Sequence, residues 1–251
     1  MLHSARSLTG FAVHGTDGEV GRVDDVYFDD ERWVVRYVVV DTGGWLSGRK
    51  VLLSPLSFQR LDRDGKTLMV NLTRDRIRAS PGIDTHEPVS RRQESELFRH
   101  YDYPYYWAGP YAWGFSVSPV ALDPANLDNR ERAEVREQAE SGEDRHLRSC
   151  SEVKGYAIHA RDATLGHLED LLFDEQDWSI RMVVIDPRDW WPGKHVLVAP
   201  DRIADVDWTD KSVTVAMRRA EIESSPAYDP DHPPPSPLSA MTRDAGMRPG
   251  A

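Results

Sequence analysis

Two acidic runs offer the densest supply of metal-ligating oxygen in this chain: Asp24, Asp25, Asp29, Asp30 and Glu31, and then Glu169, Asp170, Asp174 and Glu175. Carboxylates at this density suit calcium or magnesium, but the calcium loop of helix–loop–helix proteins needs alternating ligands, a central glycine and a terminal glutamate. That spacing is missing here. Asp24, Asp25, Asp29, Asp170 and Asp174 are therefore weak metal candidates, and the runs read as the solvated ends of hairpins. His14 and His159 have no second His or Cys at ligand spacing. Cys150 is the only cysteine, which excludes an internal disulfide and a cysteine-based metal centre. The sequence contains no complete Gly-x-x-x-x-Gly-Lys-Ser/Thr phosphate loop, nucleotide-binding glycine pattern or Gly-x-Ser-x-Gly elbow. The expectation is a protein with no catalytic residues, no bound metal and no cofactor, hence not an enzyme.

Arg36 and Arg181 interrupt otherwise apolar runs. A buried guanidinium needs a carboxylate partner. Asp25 or Asp41 is expected to serve Arg36, and Asp170 or Asp186 to serve Arg181, as structural salt bridges.

These equivalences come from an internal repeat. Residues 2–84 recur as 147–229 at a constant offset of 145 without a gap, and 28 of the 83 aligned positions are identical. Self-similarity of this kind means one small fold used twice. Each copy reads as short strands punctuated by turns. Gly10–His14 leads into Thr16-Asp-Gly18, a hairpin signal because glycine tolerates the positive φ of such turns. The β-branched run Trp33–Asp41, matched by Trp178–Asp186, marks a strand buried on both faces. Further strands are expected at 50–55, 58–61 and 67–72. Thr73 then caps a short helix that Pro81 stops. So few short strands leave exposed edges in a flat sheet, which favours a closed arrangement. The fold class is mainly β: two small closed or partly open β-barrels with short C-terminal helices, joined by a partly helical, aromatic-rich connector.

The paired motifs Gly-Phe/Tyr-Ala-Val/Ile-His, the acidic stretch ending in Phe-Asp, Trp, Arg-x-Val-Val-Val/Ile-Asp, and Val-Leu-x-x-Pro resemble the PRC-barrel family. That family is named for the cytoplasmic domain of the photosynthetic reaction centre H subunit and includes a domain of a ribosome-maturation factor. The resemblance covers about two thirds of the chain. It implies small β-barrels used for protein association, and it brings no active-site residues. The reaction-centre subunit's N-terminal membrane anchor is not expected here, since the residues at the start of this sequence have no apolar core. The architecture is similar to stand-alone bacterial proteins with two PRC-barrel domains.

The expected domains are 1–84 and 147–229, with a connector at 85–146 and a disordered Pro-rich tail at 230–251. In the connector, Pro88 is placed to open a helix running to His100, and 126–140 reads as a charged helix or a partly disordered segment. Between them, Tyr103, Tyr105, Tyr106, Trp107, Tyr111 and Trp113 are too apolar for a solvated linker. They either pack on the barrels or, with Trp45, Trp190 and Trp191, present a contact surface to a partner. The net charge is −11, no basic face is evident, and nucleic acid is not expected as a partner. No stretch has the length and apolarity of a membrane span, so a cytoplasmic location is the default. The leading expectation is a scaffold that associates with a protein partner or with itself, by barrel pairing within the chain or as a homodimer. The alternatives are a small-molecule or divalent-ion binder using an aromatic cleft between barrels, and an RNA- or ribosome-associated factor.

Overall fold

A computed structural model of the protein describes residues 1–83, 89–120, 146–187 and 194–236. The charged segment 126–140, Trp190, Trp191 and the tail beyond Ser236 lie outside the described residues. The chain is mainly β. The first repeat supplies β1 (Leu2–Ser4), β2 (Ala12–Gly15), β3 (Gly18–Asp29), β4 (Val34–Asp41), β5 (Lys50–Leu53), β6 (Phe58–Asp62), β7 (Thr67–Val70) and helix α1 (Arg74–Arg78). Helix α2 (Arg91–Tyr101) follows. The second repeat supplies β8 (Leu147–Ser149), α3 (Cys150–Val153), β9 (Ala157–His159), β10 (Thr164–Asp174), β11 (Ile180–Asp186), β12 (His195–Val198), β13 (Ile203–Asp207), β14 (Ser212–Val215), α4 (Arg219–Glu223) and β15 (Ala227–Tyr228).

One sheet runs β5-β4-β3-β2-β7-β6, and the other runs β13-β14-β9-β10-β11-β12-β15. Neither path closes on itself by strand pairing, so each is barrel-like and partly open. Among the described residues two pairings are parallel, β2 with β7 and β9 with β14, and they fold the late hairpin of each repeat back onto the short strand that precedes its long one. All seven residues from Val34 to Val40 are buried, as a two-sided β-branched strand requires.

Bulges at equivalent positions shape both hairpins. Pairing of β3 with β4 steps from Tyr27↔Tyr37 to Phe28↔Val35, which leaves Arg36 as the extra residue. In the second repeat it steps from Leu172↔Met182 to Phe173↔Ile180, leaving Arg181. A bulge bends its strand and re-aims the extra side chain.

The leading strand of each repeat is built into the sheet of the other. β1 pairs antiparallel with β10, Leu2↔Asp174 to Ser4↔Leu172. β8 pairs in the equivalent register with β3, Leu147↔Asp29 to Ser149↔Tyr27. Side chains repeat the symmetry. Ser4 Oγ donates to Asp170 and Ser149 Oγ to Asp25. His3 Nε2 lies 2.8 Å from Glu175, and Arg148 Nε donates to Asp30 at 2.9 Å. Leu2 enters the core with Leu172, Val184 and Leu197. Fully burying a leucine is worth about 1.5–3 kcal/mol, so this short strand is firmly seated. The compact units follow the exchange: one is Ser7–Ser149, the other Met1–Arg6 with Cys150–Ala251.

One local expectation, the disordered tail, is corrected, and helix α2 has its cap at Ser90, while Pro88 lies outside the described residues. The Ser90 hydroxyl accepts from the Gln93 N–H, and the Gln93 side chain accepts from the Ser90 N–H, a reciprocal box that fixes the first turn. The tail is held as far as Ser236: the Pro234 carbonyl accepts from Leu2 N–H at 3.2 Å, and buried Ser236 donates to Asp174. Proline removes backbone donors but leaves acceptors, and the incoming strand uses one.

Candidate functional site

A buried, multiply bonded polar group lies where β3 and β4 meet the connector. The bulge turns the fully buried Arg36 guanidinium onto Asp29, to whose Oδ2 its Nε and Nη2 donate at 3.2 and 2.7 Å. Its Nη1 donates to the Ala112 carbonyl. The flat face of the cation lies 3.7 Å from the Tyr106 ring centroid and 5.0 Å from that of Trp113. Such stacking suits a weakly hydrated guanidinium excluded from water.

A second buried charge is solved alongside. The carboxylate of Glu94 on α2 accepts from Tyr37 Oη at 2.8 Å, Tyr106 Oη at 2.7 Å and Arg91 Nη1 at 3.0 Å. Arg91 in turn lies 4.3 Å from the Trp107 ring centroid. Arg32 donates to the carbonyls of Tyr106, Gly109 and Tyr111, tying down the loop that carries these rings.

Electrostatics follow from burial and partners. Burial alone would raise the Asp29 carboxyl, but Arg36 and the Arg32 N–H outweigh it and hold it below 3.8. Burial raises Glu94 above 4.5 against the pull of Arg91 and the two tyrosines, and burial followed by the nearby Glu94 charge pushes Tyr37 and Tyr106 well above 10. The Asp29 shift has a defined sign. A depressed folded value gives stability that is complete above the unfolded pKa and is lost as pH falls through the folded one. Denaturant titrations at stepped pH should therefore show an acid limb beginning below about 3.8. Asp29→Asn should flatten it, and an unchanged limb would assign the acid sensitivity elsewhere.

The aromatics are thus mostly interior. Tyr106, Trp107 and Trp113 are buried and cover Arg36, Arg91 and Glu94, so in this fold they are not free to face a partner. Tyr103 and Tyr105 are partly covered and pack on Phe98, with Tyr105 also stacked on Trp107. Tyr111 is exposed at 51%. It stands with Val117 and Val120 among the few exposed large apolar side chains.

Trp45 is partly buried, donates from Nε1 to the Val20 carbonyl, and lies under Arg74 at 4.4 Å. It lines a cleft of about 450 Å³ with Glu19, Arg22, Asp41 and Arg74. Its counterpart Trp190, and Trp191, lie outside the described residues.

The weak metal candidates are dispersed among separate partners. Asp24 takes Lys50 Nζ at 2.8 Å, Asp25 the Ser149 hydroxyl, Asp29 the Arg36 guanidinium, Asp170 the Ser4 hydroxyl, and Asp174 the Ser236 hydroxyl. The expected arginine partners are corrected too: Arg36 pairs with Asp29 and Arg181 with Asp177, because the bulges rotate both toward the hairpin ends. Sequence reasoning missed Arg91 and Glu94. Their spacing of three on a helix, beside Leu97 and Phe98, was the available signal.

Among the described residues no helix is long and apolar enough to cross a membrane. Residues 2–77 match the family model of the PRC-barrel domain. An uncharacterized protein of Deinococcus radiodurans is 32% identical over 103 residues, covering 36% of this chain. The chain spans 37% of the length of that relative. By that match the first repeat of this chain is similar to a PRC-barrel domain over residues 2–77.

Proposed function

We propose that the chain is a non-enzymatic association module whose barrel-like sheets take up strands and whose connector meets a protein partner. The observation that carries this reading is the reciprocal placement of β1 on β10 and β8 on β3: twice, the far end of a long strand is paired by a strand from distant sequence. Strand addition gives affinity through the main chain and register through side-chain pairs such as Ser4–Asp170 and Ser149–Asp25. Tyr111, Val117 and Val120 supply an apolar contact within ten residues, and an exposed apolar group of this kind suits a partner.

The test is the triple variant Tyr111→Ser, Val117→Ser, Val120→Ser in the full chain. Side chains this exposed should leave the melting temperature within a degree or two, since surface changes usually lie within about 0.5 kcal/mol. Light scattering, together with binding to partners purified after native-cell capture, should show complex formation lost by about tenfold or more, as removal of central apolar anchors does. Equal complex formation by the variant would overturn this surface.

The cleft beside Trp45 favours a second reading, a small-molecule binder. A metabolite that raises the melting temperature of the wild type but not of Trp45→Ala would support it.

A further inference from the structure

Strands β10, β11 and β12 bring four metal-competent side chains side by side in the second unit. His167 on β10 is the cross-strand neighbour of Asp186 on β11. His195 opens β12 beside Asp186, the place where the first repeat pairs Lys50 with Asp41. Glu169 is a bulge residue, because pairing steps from Leu168 to Asp170 around it. His167 Nε2 lies 3.6 Å from Asp186 Oδ2 and 3.7 Å from Glu169 Oε2. Ligand atoms of these three residues all fall within 4.8 Å of one another. His195 Nε2 lies 3.9 Å from the same Asp186 oxygen. All four side chains are half-buried.

The first repeat supplies an internal comparison. Subtracting the offset of 145, the same four places hold Arg22, Asp24, Asp41 and Lys50. There Lys50 Nζ donates to Asp24 at 2.8 Å, and Arg22 Nη1 to the Gly10 carbonyl at 3.1 Å. Between the copies both carboxylates are kept, as Glu169 and Asp186, while both permanent cations are exchanged for imidazoles. A guanidinium or ammonium has no lone pair to offer, whereas neutral imidazole is a common metal ligand.

The separations agree with coordination. Zinc takes histidine nitrogen and carboxylate oxygen at about 2.0–2.2 Å, so tetrahedral ligands stand about 3.3–3.6 Å apart. The observed 3.6, 3.7 and 3.9 Å need to contract by about 0.6 Å or less, and the Glu169 and Asp186 ligand oxygens, within 4.8 Å of each other, close onto the same ion. Glu169 Oε1 is already held by Lys154 Nζ at 3.2 Å and by Arg6, leaving Oε2 turned toward His167. Outer partners that orient a ligand are a regular part of metal centres.

We propose that His167, Glu169, Asp186 and His195 bind one divalent transition-metal ion, with zinc the best match to two imidazoles and two carboxylates. Four protein ligands make a closed, structural site, and the ion ties three neighbouring strands together. The inference is independent of the association reading, since it concerns a different face of chemistry and a different readout.

The test is zinc titration of the untagged full chain by calorimetry, with cobalt as a visible-absorption probe of the ligand field. The expected result is one saturable site per chain and a rise in melting temperature on zinc addition. His167→Arg with His195→Lys, which copies the first repeat, should keep the fold and lose affinity by about 100-fold or more, at least the loss seen on removing mere outer-shell partners. Conversely, Arg22→His with Lys50→His should raise the stoichiometry to two. His167→Gln and His195→Gln singly, checked for native circular dichroism, cover the case of a double variant that fails to fold. Absence of saturable binding by the wild type, or undiminished affinity in well-folded His167 and His195 variants, would leave only a hydrogen-bonded histidine–carboxylate cluster and refute the metal site.

Discussion

Asp29→Ala is expected to destabilise the protein by about 3–5 kcal/mol near neutral pH, the usual cost of removing one partner of a buried ion pair. The reason is Arg36. Its guanidinium has no exposure, and Asp29 takes two of its donors. Without that carboxylate, the cation keeps the Ala112 carbonyl and the faces of Tyr106 and Trp113, none of which carries a full negative charge. The equivalent change in the second repeat, Asp174→Ala, should cost less. Arg181 has Asp177 as its partner and keeps 28% of its side chain in solvent, while Asp174 accepts from Ser236 and the Gln176 N–H. Chemical denaturation of both single variants measures the contrast. Equal losses, or an Asp29→Ala loss under about 1 kcal/mol, would mean that Arg36 finds another anion or reaches water.

Gly166→Ala should be comparably severe. The residue sits at φ +43°, and a Cβ there would stand 1.8 Å from the Asp186 carbonyl oxygen. A backbone atom of a paired strand cannot yield like the tip of a flexible side chain. The clash adds to the cost of placing an L residue in the left-handed region, about 1–2 kcal/mol. Together with ordinary overpacking, the loss should reach about 3 kcal/mol or more. Gly21 meets the Asp41 carbonyl in the same way, with a Cβ distance of 2.1 Å. By contrast, Gly155→Ala has open space around the new atom, although its φ of +89° is unfavourable. Calorimetry should rank Gly166→Ala well below Gly155→Ala. The reverse order would show that β10 and β11 separate at little cost.

Much of this was legible in the residues. The β-branched runs and the gapless repeat specified two copies of one small sheet, and Thr73 and Ile77 announced the first short helix. What escaped was long-range. Leu2–Ser4 fits beside Asp29 or beside Asp174 almost equally well, since Phe28-Asp29 and Phe173-Asp174 are identical pairs. Local pattern cannot choose between such twin edges; chain geometry does. The partner of Arg36 escaped for another reason. Alternation assigns a face to each strand residue, and a bulge breaks alternation at the residue in question. The aromatics were recognised as too apolar for solvent, but what they cover, a glutamate and two arginines, came from two separate segments, β4 and α2. The His167–Asp186–His195 juxtaposition was hidden likewise, because its members are 19 and 9 residues apart and meet only through strand register.

The crossing of β1 and β8 also bears on how the protein is made. A ribosome has released most of the first repeat long before Leu147–Ser149 emerges, so the flank of β3 at Tyr27–Asp29 waits unfilled through synthesis of more than a hundred residues. Exposed strand flanks in nascent chains invite aggregation, and late, distant pairings fold slowly. The unit Ser7–Ser149 is complete only when its last strand has been made, so translation through residue 149 becomes a checkpoint for that half of the polypeptide.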